Sequence, residues 1–286
     1  MRFWLLVLLL ISSWANAHVE VHGHRGARGS RPENTLPAFQ FALENGVDAL
    51  ELDIAVSADG VLVISHEPAL TPDRCLDPDG KKLKDAIPIH SLKYAEIKKY
   101  DCGSLPNERF PQQVQVPHTP PPRLLDLFEM VKKSDLPVAH TVRFNIETKI
   151  YPGKPELTPA PHEFAEKIIK LARDEGFLSK IILQSFDDRT LLAAREIEPK
   201  IVTSMLTSDN HIDYVAVAVA AKANIVSPDH DWILVGDVRR LHKLGIKVLP
   251  WTVNTPDDWK KMLALGVDGI ISDYPKELIA YLQSRE

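Results

Sequence analysis

The stretch Val21-His-Gly-His-Arg-Gly26, followed by Arg31-Pro-Glu-Asn-Thr-Leu-Pro-Ala-Phe39, indicates how the chain folds. It predicts a short strand, a glycine-rich turn and a helix, because a proline breaks the chain and the following Asn or Thr can cap a helix. His24 and Arg25 then stand at the carboxyl end of the strand, where α/β proteins bind ligands. An imidazole can move protons near neutral pH, and a guanidinium can fork onto an oxyanion. The pair therefore marks a candidate site.

The composition is that of a globular chain with a mild negative charge. Its 286 residues are 44% hydrophobic, so the chain can bury a sizeable core as one large domain or two small ones. The formal net charge of −5 argues against a broad electrostatic surface, and no nucleic-acid partner is expected. A local basic pocket is compatible with this charge.

Residues 1–17 form a separate unit with the pattern of a secretory signal. Arg2 is the only charge, an apolar run follows, and Ala15-Asn-Ala17 fits a cleavage site, so that the mature chain would begin near His18. The apolar run is too short for an ordinary membrane span, and the alternative is an uncleaved anchor at the membrane interface. The pattern predicts export to the periplasm or the exterior. No other segment is long and apolar enough to predict a stable membrane span.

The two cysteines, Cys75 and Cys102, lie in one irregular region. An exported protein meets an oxidising compartment, where a disulfide between them is favoured over two free thiols. That region, from residue 68 to about residue 122, holds many of the prolines and few long apolar runs. It is interpreted as an insertion that packs over one end of a single domain at residues 18–286.

Short apolar runs alternate with helical patterns along the rest of the chain. Strands are predicted at residues 19–24, 49–56, 61–66, 143–149, 180–186, 201–206, 224–227, 247–252 and 269–272. Helices are predicted at residues 35–45, 92–100, 124–133, 162–175, 189–197, 211–222, 236–243, 256–265 and 276–284. The turn signal Asp59-Gly60 makes the third run an antiparallel return, because so short a link cannot form a parallel crossover. The remaining β/α units have the count and size of a TIM (β/α)8 barrel, and a doubly wound open sheet is the alternative.

Several predicted strands end in polar side chains that a core does not need. Glu51 and Asp53 share one face of the second strand, because side chains alternate along a strand. Glu147 stands near the end of the strand at 143–149. Carboxylates this close repel one another unless a cation lies between them, and an exposed strand face is the alternative. Three oxygen ligands without cysteine or histidine at ligand spacing favour one hard divalent cation, Ca²⁺ or Mg²⁺, over Zn²⁺.

Basic side chains at the same strand ends fit a phosphate. Lys149 shares a face with Glu147, where it can contact a phosphate oxygen, form a salt bridge to Glu147, or do both. His66 ends the antiparallel return and can come close to the carboxylates of the second strand. His24 and His66 together indicate general acid–base chemistry on a phosphoryl group. His22 points the same way but lies one layer deeper, in the core or behind the site.

Later strand ends supply candidates for the wall of a substrate pocket. They are Gln184 and Phe186 after the strand at 180–186, and Trp251 after the strand at 247–252. Either aromatic side chain could line the wall against a small organic group, but packing in the core is the commoner role for such residues.

These motifs together resemble the glycerophosphodiester phosphodiesterase family. The matching blocks are, in order, His24-Arg-Gly26 with Pro32-Glu-Asn-Thr35, Glu51-Leu-Asp53 with His66, Asn145-Ile-Glu-Thr-Lys149, Gln184-Ser-Phe186, Trp251-Thr-Val-Asn254 and Asp268-Gly-Ile-Ile-Ser-Asp-Tyr-Pro275. The resemblance covers the chain after the signal apart from the insertion, which itself resembles the insertion of this family. It implies a TIM barrel and a divalent metal. The positions that it implies are Glu51, Asp53 and Glu147 for the metal, Arg25 and Lys149 for phosphate, and His24 and His66 for acid–base work.

The resemblance implies hydrolysis of glycerophosphodiesters to glycerol 3-phosphate and an alcohol. One histidine would take the proton of the attacking hydroxyl, of water or of the glycerol itself through a cyclic phosphate, and the other would protonate the leaving alcohol. Glu67 follows His66 where the family usually has aspartate, which leaves substrate preference open. Two alternatives are lysophospholipase-D-like cleavage of lysolipids and a non-catalytic secreted binding protein on a degenerate barrel.

Overall fold

A computed structural model describes residues 18–209 and 213–285. The segment 1–17, which carries the predicted signal, and the predicted helix start at residue 211 lie outside these ranges. Within them no helix is both long and apolar enough to cross a membrane.

The described residues form a parallel barrel with one antiparallel return. The strands are β1 (Glu20–Gly23), β2 (Ala49–Val56), β3 (Leu62–Ile64), β4 (Ala69–Leu70), β5 (Ile87–Pro88), β6 (Arg143–Thr148), β7 (Ile181–Ser185), β8 (Val202–Thr207), β9 (Ile225–Pro228), β10 (Lys247–Val248) and β11 (Gly269–Ser272). Eight of them pair in the order β10-β9-β8-β7-β6-β2-β1-β11, and every pair in this path is parallel. Strand β3 pairs antiparallel with β2, as the turn signal predicts. The predicted TIM barrel is confirmed, and the open sheet is excluded.

Backbone hydrogen bonds after β10 close the barrel. Strand β10 covers only Lys247–Val248, so the prediction of a strand over 247–252 is too long. Pro250 has no N–H group and cannot continue the ladder. Its carbonyl accepts from the N–H of Ile271 in β11 at 3.0 Å, and the N–H of Val253 donates to the carbonyl of Ile271 at 3.0 Å. The eight carboxyl ends therefore meet around one mouth.

Helices alternate with these strands and cover the barrel. They are α1 (Leu36–Glu44), α2 (Tyr94–Ile97), α3 (Leu124–Lys132), α4 (Pro161–Asp174), α5 (Asp188–Ile197), α6 (Tyr214–Ala220), α7 (Val235–His242), α8 (Pro256–Leu265) and α9 (Pro275–Gln283). Of the two predicted caps for the first helix, Thr35 is the one used: its side chain accepts a hydrogen bond from the N–H of Ala38. The predicted helix at 92–100 is shorter, because only Tyr94–Ile97 is α-helical.

Strand β2 divides the apolar shell from a polar interior. Leu50, Leu52 and Ile54 are buried in the core cluster that the strands share with the helices. Glu51 lies on the other face and accepts a hydrogen bond from Gln184 of β7, two strands away around the barrel. Such a bond is possible only across the barrel interior. The alternation in the sequence therefore places the acidic face of β2 inside the barrel.

The insertion packs on the barrel through its own small core. Leu70, Ile89 and Ile97 are buried together with Ala55 of β2 and Val63 of β3. The predicted disulfide between its two cysteines is present and joins residues 27 positions apart. Closing a loop of this length removes unfolded-state entropy worth about 3–4 kcal/mol. The insertion is thus anchored beside the mouth instead of hanging as a free loop.

Candidate active site

Three carboxylates form a buried cluster at the mouth of the barrel. Asp53 stands opposite Glu147 in the register of β2 and β6, and Glu51 lies two residues earlier on the same face of β2. One oxygen of each side chain lies within 4.8 Å of the other two. All three residues are buried. The structure thus brings together the three carboxylates that the sequence singles out.

Burial and like charge make this cluster costly to ionise. Burial raises the pKa of Glu51 well above its usual value, and the charges of Asp53 and Glu147 raise it further. Burial also raises the pKa of Glu147, against the pull of Lys149. Burial would also raise the pKa of Asp53, but the positive charges of Lys149 and Arg25 outweigh this effect. The pKa of Asp53 therefore lies well below its usual value. A divalent cation fits such a donor set, because it turns repulsion into attraction and prefers oxygen ligands.

Lys149 neutralises part of the cluster. Its Nζ lies 2.5 Å from Glu147 Oε1 and 3.0 Å from Asp53 Oδ1. The salt bridge that the sequence leaves open is therefore present. The ammonium group also lines the cavity at the mouth.

Arg25 binds the cluster through both its backbone and its side chain. With φ at 49° the backbone turns so that its N–H donates to Glu51 Oε2 at 2.8 Å. Its Nη1 donates to Glu33 Oε1 at 2.7 Å. Its Nε is buried 3.4 Å from Asp53 Oδ2 and has no hydrogen-bond partner in the described part of the chain. Arg25 therefore keeps a donor beside the carboxylates.

His24 is held by a carboxylate from the opposite end of the sequence. Its Nδ1 lies 2.6 Å from Asp273 Oδ1, and its Nε2 lies 3.9 Å from Glu51 Oε2. Burial lowers the pKa of His24 to about 4, although Asp273 pulls it upward. A neutral imidazole that donates from Nδ1 to Asp273 leaves Nε2 free to accept a proton. Arg28 fixes Asp273 in turn with two hydrogen bonds of 2.8 and 2.9 Å.

His66 approaches the same mouth from the end of the antiparallel return. Its Nδ1 lies 2.8 Å from Oε1 of Glu67. The longer side chain of glutamate, where the resemblance leads one to expect aspartate, therefore still reaches the neighbouring imidazole. His66 is partly exposed and lines the cavity, whereas His24 is buried.

The mouth opens into a cavity of about 340 Å³. Both histidines, Glu51, Glu147, Arg25 and Lys149 line it. Phe186 and Trp251 form part of its wall, with their rings edge to face and 5.7 Å between centroids. Phe186 is 44% exposed, so its role is not core packing. The aromatic wall that the sequence indicates is present.

A layer of amides supports the cluster from below. Gln184 lines the cavity and is also buried: it donates from Nε2 to Glu51 Oε1 at 2.8 Å and accepts from Asn145 at 3.0 Å. The Nδ2 of Asn145 lies 3.3 Å from Nδ1 of His22. His22 therefore lies one layer below the mouth, as the strand alternation indicates.

Sequence reasoning missed several residues that position the site. In the sequence, Asp273 is a polar residue after the last strand, and Arg28 and Glu33 carry no local signal of a role. Asn34 is a candidate helix cap in a matching motif, yet in the structure its amide donates to Asp53 Oδ2 at 2.9 Å. Asn254 donates to Asp273 Oδ2 at 2.8 Å. Their positions after predicted strands were the available signal, but their partners lie far away in the sequence.

A closed TIM barrel whose mouth holds buried carboxylates, basic side chains and two histidines is suited to the hydrolysis of phosphodiesters. Residues 24–277 match the family model described as the glycerophosphoryl diester phosphodiesterase family, and the chain belongs to this family. The protein is an enzyme that hydrolyses glycerophosphodiesters.

Known relatives are similar over nearly the whole chain. A glycerophosphodiester phosphodiesterase of Caldanaerobacter subterraneus is 31% identical over 263 residues, which cover 91% of this chain and 96% of that protein. A solved structure from Silicibacter pomeroyi, assigned to the glycerophosphoryl diester phosphodiesterases, is also 31% identical and has a TM-score of 0.87 over 94% of this chain and 95% of that one. A phosphodiesterase of Oleispira antarctica, solved with the product sn-glycerol-3-phosphate, shares the fold at 24% identity, with a TM-score of 0.74 over 92% of this chain and 96% of that one.

Replacing Asp273 by asparagine is expected to lower kcat about a hundredfold, because the amide can donate to Nδ1 of His24 and favour the tautomer whose Nε2 carries the proton. KM should change little if Asp273 acts only through His24. The matched control is Asp268→Asn, since Asp268 contacts His242 at 2.8 Å at the other end of the barrel. Steady-state kinetics and the melting temperatures of both variants decide the matter. Equal losses of activity in the two variants would contradict a positioning role.

Proposed function

We propose that the cavity at the barrel mouth releases glycerol 3-phosphate and a free alcohol from glycerophosphodiesters through proton transfers by His24 and His66. The observation that carries this proposal is that both imidazoles line the same cavity as the carboxylate cluster. Arg25 and Lys149 are the phosphate ligands of this proposal, because both line the cavity beside the cluster.

Glu51, Asp53 and Glu147 would hold one divalent cation, Ca²⁺ or Mg²⁺. Three carboxylates without cysteine or histidine are the donors that these hard ions prefer. When bound, the ion supplies positive charge that neutralises the phosphodiester. Lys149 and Arg25 bring two positive charges to the three carboxylates, and Arg25 is also paired with Glu33. The excess of negative charge supports a further positive charge at this point.

The side chains of the chain itself account for the proton transfers. Nε2 of His24 faces the carboxylate cluster, whereas His66 stands at the partly exposed side of the cavity. One imidazole takes the proton of the attacking hydroxyl, which belongs to water or to the glycerol, and the other gives a proton to the leaving oxygen. Attack by water gives glycerol 3-phosphate directly. Attack by the glycerol gives a cyclic phosphate, which water then opens to glycerol 3-phosphate with the roles of the two imidazoles exchanged. The guanidinium of Arg25 and the ammonium of Lys149 bind the phosphoryl oxygens as negative charge moves onto them.

Removal of divalent cations is expected to abolish turnover reversibly. The assay is release of glycerol 3-phosphate from glycerophosphocholine by purified residues 18–286, in EDTA and after addition of Ca²⁺ or Mg²⁺. A cation that binds the folded chain at a hundredfold excess over its Kd stabilises it by about 2.7 kcal/mol, so the melting temperature provides an independent reading. Full activity in EDTA, with no thermal shift on adding either ion, would contradict the proposal.

Lysolipids are a second candidate class of substrate. The loop between β9 and α7 exposes Trp232 to 45% and Leu234 to 65%, and it is tied to the cavity wall because the N–H of His230 donates to the carbonyl of Trp251 at 3.0 Å. An apolar rim of this kind could receive an acyl chain. Comparison of kcat/KM for lysophosphatidylcholine and glycerophosphocholine tests the two classes. Higher kcat/KM for the lysolipid would reverse the order proposed here.

Export of the protein is the remaining part of the proposal. The signal pattern of residues 1–17 supports it, and so does the disulfide between Cys75 and Cys102, since such bonds persist in oxidising compartments. Expression of the full chain in bacteria should yield protein in the periplasm or the medium with an N-terminus near His18. Recovery from the cytoplasm with residues 1–17 intact would contradict it.

A further inference from the structure

Among the described residues of the insertion, Arg109 is the one that lines the catalytic cavity. The remaining lining residues belong to the barrel strands and the loops that directly follow them. Arg109 therefore brings a charge to the mouth that the barrel itself does not supply.

Arg109 differs from the other permanent cations of this cavity, because it has no carboxylate partner among the described residues. Arg25 donates to Glu33, and Arg28 donates to Asp273. Lys149 bridges two members of the carboxylate cluster. The guanidinium of Arg109 forms no ion pair or hydrogen bond with any residue that the structure describes, and it lies over the ring of Phe110 at 5.9 Å from the centroid. Its charge is available to a ligand.

The backbone of Arg109 is fixed although its side chain is exposed. Its N–H donates to Oδ1 of Asn107 at 3.1 Å. The next residue, Phe110, is 5% exposed, lies 5.0 Å from the guanidinium of Arg28 and packs edge to face on Tyr274. The insertion is thus fastened to the loop after β1, and Arg109 is presented at the rim.

Arg109 lies nearer to solvent than the buried cations of the cavity, and its role therefore differs from theirs. The scissile phosphate must lie beside His24, Arg25 and the carboxylate cluster, all of which are buried. Arg109 is exposed, so it faces the part of the substrate that lies nearer to solvent. A guanidinium forks onto carboxylate or phosphate oxygens, and it is repelled by a cation.

We propose that Arg109 is a specificity-determining residue that binds an anionic group on the alcohol to be released, with a carboxylate as its simplest form. This inference rests on the proposed function, because it assumes that the alcohol leaves from the same cavity. It assigns to the insertion a direct part in substrate selection. The preferred glycerophosphodiesters are then those whose head group carries negative charge.

Glycerophosphoserine and glycerophosphoethanolamine test this, because the two substrates differ only by one carboxylate. The measured quantity is the ratio of their kcat/KM values in the metal-loaded enzyme. Arg109→Gln is expected to lower the ratio of serine to ethanolamine substrate roughly three- to tenfold, as for a partly exposed charged pair. Arg109→Lys should retain part of the ratio, because it keeps the charge and loses the fork. Lys84→Gln, which removes an exposed charge of the insertion outside the cavity, should leave the ratio unchanged.

The outcomes separate this inference from the proposed function. Equal losses on both substrates would show that Arg109 serves the scissile phosphate or the shape of the mouth. Unchanged kcat/KM values for both substrates would show that it contacts no head group. Either result overturns the inference. Absence of turnover of both substrates by the wild-type enzyme would instead contradict the proposed function. High salt should reduce the wild-type ratio toward that of Arg109→Gln, since exposed charge pairs are screened.

Discussion

Replacing His24 or His66 by asparagine is expected to lower kcat/KM for glycerophosphodiesters by about 10²- to 10⁴-fold each. This is the usual contribution of a general acid or base, and asparagine keeps a polar side chain of similar size but cannot carry the proton. The measurement is release of glycerol 3-phosphate under saturating metal. Losses should appear in kcat, because the proton transfers belong to the chemical step.

The double variant tests whether the two histidines act together. If the two histidines act in one concerted exchange, His24→Asn with His66→Asn should cost little more than either change alone, because the first loss already disables the pair. His242→Asn is the control for a surface histidine, since His242 contacts Asp268 far from the mouth. Residual activity close to wild type in both single variants, with folding intact, would remove them from the mechanism.

Replacing Glu147 by glutamine is expected to lower kcat/KM by about a thousandfold and to remove cation binding. The change keeps the volume of the side chain but deletes one of the three charges of the cluster, and a metal ion contributes several kcal/mol of charge stabilisation to such a reaction. At about 1.4 kcal/mol for each factor of ten, a thousandfold loss corresponds to about 4 kcal/mol. The partner of the lost charge, Lys149, keeps its contact with Asp53 at 3.0 Å.

Two melting-temperature measurements distinguish loss of the metal site from damage to the fold. The melting temperature of Glu147→Gln in EDTA should stay near that of the wild type, because removal of one like charge offsets the loss of the contact with Lys149. The rise in melting temperature that Ca²⁺ or Mg²⁺ gives the wild type should disappear. Glu129→Gln, on the exposed face of α3, should retain both the activity and the thermal shift. An undiminished shift in Glu147→Gln would place the cation elsewhere.

Most of the barrel could be predicted because its strands and helices show characteristic patterns among neighbouring residues. The prediction of residues 49–56 as a strand is correct to the residue, and that of 256–265 as a helix is too. The alternation of apolar and polar residues in strands and the residues that begin or end helices involve neighbouring positions. They can therefore be recognised in a single sequence. The two errors have different causes. Strand β10 is shorter than predicted because Pro250 has no N–H group to continue the ladder. The helix predicted at 92–100 is shorter because that segment packs on β3 as part of the insertion.

The candidate site was predictable where residues share a strand and unpredictable where they do not. Glu51 and Asp53 are two residues apart, so the alternation of a strand places both on one face without further information. The partner of His24 is Asp273, 249 positions away, and only closure of the barrel brings them together. The burial that raises the pKa of Glu147 is likewise invisible in a sequence.

The barrel, the acidic face of β2, the two histidines and the family are all predictable from residue type and from spacing along the chain. Three features depend on the folded arrangement: Asp273 holds His24, Gln184 supports Glu51 from below, and the insertion brings Arg109 to the mouth. These are contacts between elements far apart in the chain. Their distances follow from how the strands close and how the insertion is anchored, which no local pattern encodes.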